Sequence, residues 1–117
     1  MRVLVCGSRE WNNLDLILER LSSLPPETIL IHGGCRGADV MCGEVGKELG
    51  FNVLCFPANW DKHGRSAGPK RNQTMLDEGK PELILAFHNN IESSRGTKDM
   101  LARAGKHGLP IEIIKEP

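Results

Sequence analysis

The sequence is poor in aromatic residues and has no excess of charge of either sign. Aromatic side chains make up 4% of the 117 residues, and 15 basic side chains balance 15 acidic ones. Because non-specific nucleic-acid binding depends on a general positive field, this balance argues against such a function, and any anion-binding site must be local. The few aromatic residues leave little material for stacking on bases.

Long apolar runs and paired cysteines are absent as well. No run approaches the roughly 20 residues of a membrane-spanning helix, and Met1–Val5 enters an apolar segment without the organisation of a signal peptide. The four cysteines form no C-x-x-C pair, and neither they nor the four histidines have the spacing of metal ligands. We therefore expect a cytoplasmic protein with reduced thiols, Cys6 and Cys55 being buried in strands, and with no metal, cofactor or membrane partner.

Short apolar runs alternate with amphipathic segments along the whole chain. The runs predict five strands, and the helical spacing of leucine, isoleucine and methionine predicts four helices between them. This alternation is typical of a doubly wound parallel α/β sheet covered on both faces, and the length fits a single domain over residues 1–117. The predicted strands are 2–6, 28–31, 51–56, 82–87 and 111–114, and the helices lie near 14–21, 38–49, 70–79 and 96–104.

Glycine and arginine recur together at the four predicted strand-to-helix junctions. The junctions carry Gly7-Ser8-Arg9, Gly33-Gly34-Cys35-Arg36-Gly37, Gly68-Pro69-Lys70-Arg71-Asn72 and Ser94-Arg95-Gly96-Thr97. All such junctions of a parallel sheet lie on one edge, where backbone amides at helix N-termini attract phosphate and arginine adds a bidentate cation. We therefore predict a phosphate or pyrophosphate pocket at this edge. The turn after the second strand organises it, and Arg9, Arg36 and Arg71 share it.

A long connection without apolar periodicity follows the third predicted strand, over residues 57–72. Connections of this length in compact domains are usually functional or disordered. This one is basic and contains a tryptophan, Trp60. Trp60 is a candidate for stacking on a base, with Trp11 as the alternative, and either can instead cover the edge of the core. We expect the next helix to begin with Lys70, after a turn at Gly68-Pro69.

At the four junctions the sequence resembles the small, single-domain YspA-like branch of the SLOG superfamily, which is related to the LONELY GUY phosphoribohydrolases. The resemblance runs over nearly the whole chain. It is carried by Gly7-Ser8-Arg9, His32-Gly33-Gly34 with Arg36-Gly37-Ala38-Asp39, Gly68-Pro69 with Arg71-Asn72 and Met75, and Gly96-Thr97 with Asp99-Met100. It implies a Rossmann-like fold and a nucleotide-derived ligand, either a nucleoside phosphate, ADP-ribose or an NAD-derived signal. It also implies a homodimer or higher homo-oligomer, which the open edges of a small sheet favour.

One departure from the LONELY GUY pattern bears on catalysis. In those enzymes a glutamate three residues after the motif threonine works with an arginine, whose place Arg71 fits. Met100 stands where the glutamate would be, and a thioether neither stabilises an oxocarbenium-like centre nor transfers a proton. Asp39 and Asp99 are the remaining candidate carboxylates, or else first-turn acids favoured by the helix dipole.

We therefore expect a protein that senses or sequesters its ligand, with two alternatives. One is a nucleoside 5′-monophosphate glycosidase that uses Arg71 with Asp39 or Asp99, and the other is a single-stranded nucleic-acid binder. His63 is a further candidate contact, His32 is equally compatible with a structural role, and His88 and His107 match no pattern. The predicted ligand-binding residues are Gly7, Ser8, Arg9, His32, Gly33, Gly34, Arg36, Gly37, Asp39, Trp60, Gly68, Pro69, Arg71, Asn72, Gly96 and Thr97.

Overall fold

Every predicted strand forms, and the strands pair in parallel into one sheet. The computed structural model describes residues 1–117. The strands are β1 (Arg2–Gly7), β2 (Ile29–His32), β3 (Asn52–Cys55), β4 (Leu83–Phe87) and β5 (Ile111–Ile114). Their order across the sheet is β3-β2-β1-β4-β5, so the winding direction reverses between β1 and β4. The expected Rossmann-like, doubly wound fold is confirmed, and ligands of such folds bind at the point of reversal.

Helices cover both faces of the sheet. They are α1 (Leu14–Ser22), α2 (Ala38–Glu48), the one-turn α3 (Trp60–His63), α4 (Ala67–Gly79) and α5 (Arg95–Lys106). Along β1, Val3 and Val5 pack with α1 and α2, whereas Leu4 and Cys6 pack with α4 and α5. Because both faces of β1 are buried, its run is continuously apolar, as the sequence indicated. None of the helices has the length and apolarity needed to cross a bilayer.

The connection after β3 is more ordered than the sequence predicts. Residues 60–66 form α3 and a 3₁₀ turn, and α4 begins at Ala67, three residues before the predicted start. The Asn59 side chain caps α3 by accepting a hydrogen bond from the Lys62 amide at 3.1 Å. Pro69 lies inside the first turn of α4, where a missing N–H leaves no hydrogen bond unmade. Polar capping groups therefore replace apolar periodicity as the cause of helix formation here.

The structure shows where two of the cysteines and the two tryptophans lie. Cys55 is exposed, so its predicted burial is wrong, because β3 is an edge strand with no neighbour on its outer side. Cys6, on the central strand, is buried as predicted. Trp11 belongs to the core, where its ring meets Phe87 edge to face at a centroid distance of 5.7 Å. Of the two tryptophans, Trp60 alone is exposed, at 52% of its surface.

The close approach of β1 to its neighbours gives a stability prediction at Gly7. A Cβ at this position would overlap the Phe87 carbonyl oxygen and lie 2.8 Å from the Ala38 Cβ. We expect Gly7→Ala to lower the free energy of unfolding by about 1–3 kcal/mol in urea denaturation, because the Phe87 carbonyl group and the Ala38 Cβ both belong to packed core residues that cannot easily move. Gly105→Ala, whose added methyl would meet nothing within 4 Å inside α5, is the matched control and should not destabilise. Equal stability of Gly7→Ala and the wild type would contradict this packing.

Candidate functional site

A cavity of about 910 Å³ opens at the carboxyl edge of the sheet, above the ends of β1 and β4. Its walls are the loop after β1, the N-terminal half of α4 and the N-terminus of α5. Each of the four junctions contributes to the lining, the second one through Cys35. Most of the residues singled out from the sequence line the cavity. They are Gly7, Ser8, Arg9, Asp39, Trp60, Gly68, Pro69, Arg71, Asn72, Gly96, Thr97 and Asp99.

The remaining predicted contacts, which surround the turn after β2, do not line this cavity. They are His32, Gly33, Gly34, Arg36 and Gly37. Arg36 lies at the surface with its side chain 73% exposed, and it pairs with Glu10 at 2.9 Å. The expectation that Arg9, Arg36 and Arg71 share one pocket is therefore wrong for Arg36. A residue in the middle of a wide turn is free to point away from the sheet, which its sequence position does not reveal.

The amides of the turn after β2 are occupied by the protein's own side chains. The Asp39 carboxylate accepts hydrogen bonds from the Gly33 amide at 3.0 Å and the Cys35 amide at 3.4 Å. The Gly34 amide donates to His32 Nδ1 at 3.0 Å, so this histidine takes the structural role that the sequence left open. The turn was expected to bind phosphate through these amides. In the structure a carboxylate from the first turn of α2 stands in that place.

Burial controls the electrostatics of Asp39. The carboxyl group is buried, and this raises its pKa from 3.8 to about 6, although the Cys35 and Gly33 amides and the Arg71 and Arg9 guanidiniums oppose the rise. Burial also lowers the pKa of His32, with help from the positive charges of Lys47 and Arg71. The low-dielectric surroundings thus favour the neutral forms of both Asp39 and His32.

Arg71 is held in the cavity wall by the glycine turn. Its Nη1 donates to the Gly33 carbonyl oxygen at 2.6 Å, and its Nε donates to the Asn72 side chain at 3.1 Å. A Cβ on Gly33 would lie 2.5 Å from Nη1, so only glycine leaves room for the guanidinium at this place. Gly33 therefore serves the site indirectly, by positioning an arginine that comes from α4.

Asn72 ties α4 to the first turn of α5. This buried amide donates to the Asp99 carboxylate at 2.9 Å and to the Gly96 carbonyl oxygen at 3.3 Å. Asp99 also accepts from Arg103 Nε at 2.9 Å. Both carboxylates that the sequence offers for catalysis, Asp39 and Asp99, are thus engaged by donors of the protein itself.

The N-terminus of α5 presents free donors to the cavity. Ser94 caps the helix by accepting from the Thr97 amide at 3.1 Å, which leaves the Arg95 and Gly96 amides without partners in the protein. Thr97 Oγ1 donates to the Gly7 carbonyl oxygen at 3.2 Å and so fixes this helix end against β1. In the loop after β1, Ser8 Oγ accepts from the Glu10 amide at 3.0 Å, so its hydroxyl proton remains available.

Cationic side chains line the cavity from several directions. Four arginines contribute to its walls: Arg9, Arg65, Arg71 and Arg95. Lys70 and His63 instead line a smaller cavity of about 240 Å³ on the outer side of Arg71, and their side chains lie 3.3 Å apart. No group of three or more His, Cys, Asp or Glu side chains is arranged to hold a metal ion.

Sequence reasoning missed part of the cavity lining. Arg65 belongs to the connection that was noted only as basic, and the apolar floor of Cys6, Met75 and Met100 was not among the predicted ligand-binding residues. His88 also lines the cavity, although it belongs to no motif. Its place was nevertheless readable from the sequence, because it directly follows a predicted strand on the edge where all the junctions meet.

The fold and the cavity define a Rossmann-like α/β protein with an open site at the switch point of its sheet. The chain belongs to the YspA, cpYpsA-related SLOG family, whose model matches residues 1–63, so the resemblance seen in the sequence is confirmed. It is similar to the Gene 61 protein of Mycobacterium phage D29, at 34% identity over 94% of this chain and 93% of that protein.

A solved structure shares the fold. DNA processing protein A (DprA) from Streptococcus pneumoniae superposes with a TM-score of 0.79 at 14% sequence identity, over 99% of this chain. The match covers 50% of the DprA chain, so the present chain spans half the length of that protein. At this level of identity the likeness concerns the fold.

The raised pKa of Asp39 gives a pH prediction with a definite sign. The native carboxyl group binds its proton more tightly than the unfolded one, so the free energy of unfolding should fall as pH rises from about 4 to about 6, by on the order of 2 kcal/mol. Asp39→Asn should remove this fall, and the exposed Asp15→Asn should keep it. Urea denaturation at several pH values measures both, and parallel profiles for the wild type and Asp39→Asn would refute the assignment.

The contact between Gly33 and Arg71 gives a second prediction. Gly33→Ala should displace the guanidinium and lower the free energy of unfolding by about 1–2 kcal/mol, because the bond to the Gly33 carbonyl oxygen is lost. In an Arg71→Ala background the same substitution should cost much less, since nothing remains to be displaced. A double-mutant cycle by denaturation measures the coupling, and strictly additive effects would show that Gly33 does not act through Arg71.

Proposed function

We propose that this protein binds a nucleotide-derived small molecule in the cavity at the carboxyl edge of its sheet, and that it acts by sensing or sequestering that molecule. The observation that carries the proposal is one cavity of about 910 Å³ that combines four arginines with the open N-terminus of a helix. Volumes of this size suit whole ligands of metabolite size. Membership of the SLOG family supports a nucleotide-related role.

The anionic group of the ligand is assigned to the N-terminus of α5. The Arg95 and Gly96 amides are free there, whereas Asp39 occupies the corresponding amides of the turn after β2. Arg95 supplies charge in the first turn of α5, and Arg9, which has no carboxylate partner, supplies charge from the loop after β1, beside Gly37. A phosphate in this position would meet both the helix dipole and bidentate donors.

Binding without hydrolysis is favoured by the state of the carboxylates. Met100 takes the place of the glutamate of the LONELY GUY enzymes and is buried in the cavity floor. Asp39 is bound by two backbone amides, and Asp99 by Asn72 and Arg103, so neither is free to approach an anomeric carbon. Intact AMP after long incubation with concentrated protein is the expected result, and release of adenine would establish glycosidase activity instead.

A single-stranded nucleic acid is the second candidate ligand. The exposed Trp60 lines the cavity beside Arg65, and Lys62 lies in the same helical turn, which together form a small aromatic and basic surface. The structurally similar DprA is named a DNA processing protein. Binding of a short oligonucleotide that weakens steeply with salt and is lost in Trp60→Ala would favour this reading over the small molecule.

Calorimetry with AMP, ADP-ribose and NAD tests the proposal, and two arginines provide a matched pair of variants. Arg9→Ala should weaken binding by about tenfold or more, because a charge-assisted hydrogen bond is lost. Arg20→Ala should bind as the wild type does, since Arg20 pairs with Glu112 and neither of these residues lines the cavity. Absence of binding by all three compounds, or equal losses in the two variants, would refute the proposed site.

A further inference from the structure

His88 stands at the centre of the cavity-forming edge. It directly follows β4, and its backbone amide donates to the Ile114 carbonyl oxygen at 3.0 Å. The preceding residue, Phe87, accepts a hydrogen bond from the Ser8 amide at 2.9 Å, so His88 lies next to the loop after β1. The backbone at Phe87 and His88 is therefore held on one side by β5 and on the other by the loop after β1.

The ring of His88 is fixed in one orientation by its own loop. Nδ1 accepts a hydrogen bond from the Asn90 amide at 2.9 Å. An acceptor nitrogen carries no proton, so in the neutral ring the proton resides on Nε2. Burial lowers the pKa of His88, which favours this neutral form at neutral pH.

The remaining nitrogen, Nε2, is an accessible atom of a residue that lines the cavity. The residue lines the cavity although only 7% of its surface is exposed. Nε2 has no hydrogen-bond partner in the protein, yet the structure contains no buried side-chain nitrogen or oxygen atom without a partner. Nε2 must therefore be among the accessible atoms of this nearly buried ring, and its N–H is an oriented donor that the fold leaves unused.

We propose that His88 Nε2–H donates a hydrogen bond to a phosphoryl oxygen of the bound ligand, and this inference rests on the proposed function. The Ser8 hydroxyl and the N-terminus of α5 are the other donors on this side of the cavity, and the bond from Thr97 to Gly7 joins that helix end to β1. His88 then differs from the arginines of the cavity, because its neutral ring donates a hydrogen bond in a fixed direction and carries no charge. It is a specificity-determining residue that favours a hydrogen-bond acceptor at one place.

Two substitutions separate the role of Nε2 from that of Nδ1. In His88→Asn the side-chain oxygen can replace Nδ1 as the acceptor for the Asn90 amide, but nothing replaces Nε2. In His88→Gln the amide nitrogen can replace Nε2 as a donor, but the bond to Asn90 is lost. We expect His88→Asn to bind AMP about tenfold more weakly in calorimetry, His88→Gln to stay within about threefold of the wild type, and adenosine affinity to be unchanged in both.

Nitrogen-15 NMR of the wild type provides a readout that a purely structural histidine would not move. The Nε2 resonance of His88 should shift when AMP saturates the protein, and that of the exposed His107 should not. An unshifted His88 Nε2 resonance, or wild-type affinity in His88→Asn with weakened binding in His88→Gln, would overturn the inference while leaving the proposed function standing. Failure of the wild type to bind AMP, ADP-ribose or NAD would refute the proposed function, and the role of His88 with it.

Discussion

The hydrogen bonds from the turn after β2 to the Asp39 carboxylate determine how this edge of the sheet is organised. They hold the Gly33 and Cys35 amides, and the Gly33 carbonyl oxygen then holds Arg71 in the cavity wall. A carboxylate from the protein thus occupies the kind of amide nest in which many related folds bind phosphate. The N-terminus of α5, which also lines the cavity, keeps the Arg95 and Gly96 amides without partners in the protein.

The fold was predictable because its strongest signals are local and agree with one another. Each strand is a short apolar run, each long helix has an apolar stripe, and glycine or proline separates them. Parallel pairing then follows from the alternation alone. The errors in the bounds of the helices lie where polar caps, and not apolar spacing, determine the structure. Asn59 caps α3, and Ser94 caps α5, which begins at Arg95. The burial of Cys55 was misjudged because a sequence does not tell an edge strand from a central one.

The position of the cavity at one edge of the sheet could be predicted from the sequence, whereas the residues that line it could be predicted only in part. Topology alone brings Arg9, Arg71 and Gly96 to one edge, and they line one cavity. The direction of a side chain within a turn depends on torsions and partners that no motif records, and so Arg36 points to Glu10 instead. His88 was overlooked because it belongs to no motif. Its significance lies in one hydrogen bond to Asn90 and one nitrogen left over, neither of which leaves a pattern in the sequence.

The four thiols differ in a way that is of practical use. Cys6 and Cys42 are buried, and burial raises the pKa of both, so they stay protonated at neutral pH. Cys55 is exposed beside the smaller cavity, and Cys35 lies in the wall of the larger one with its sulfur 3.7 Å from Arg71 Nη2. The unmodified chain therefore carries attachment points for a fluorophore or spin label on both sides of Arg71.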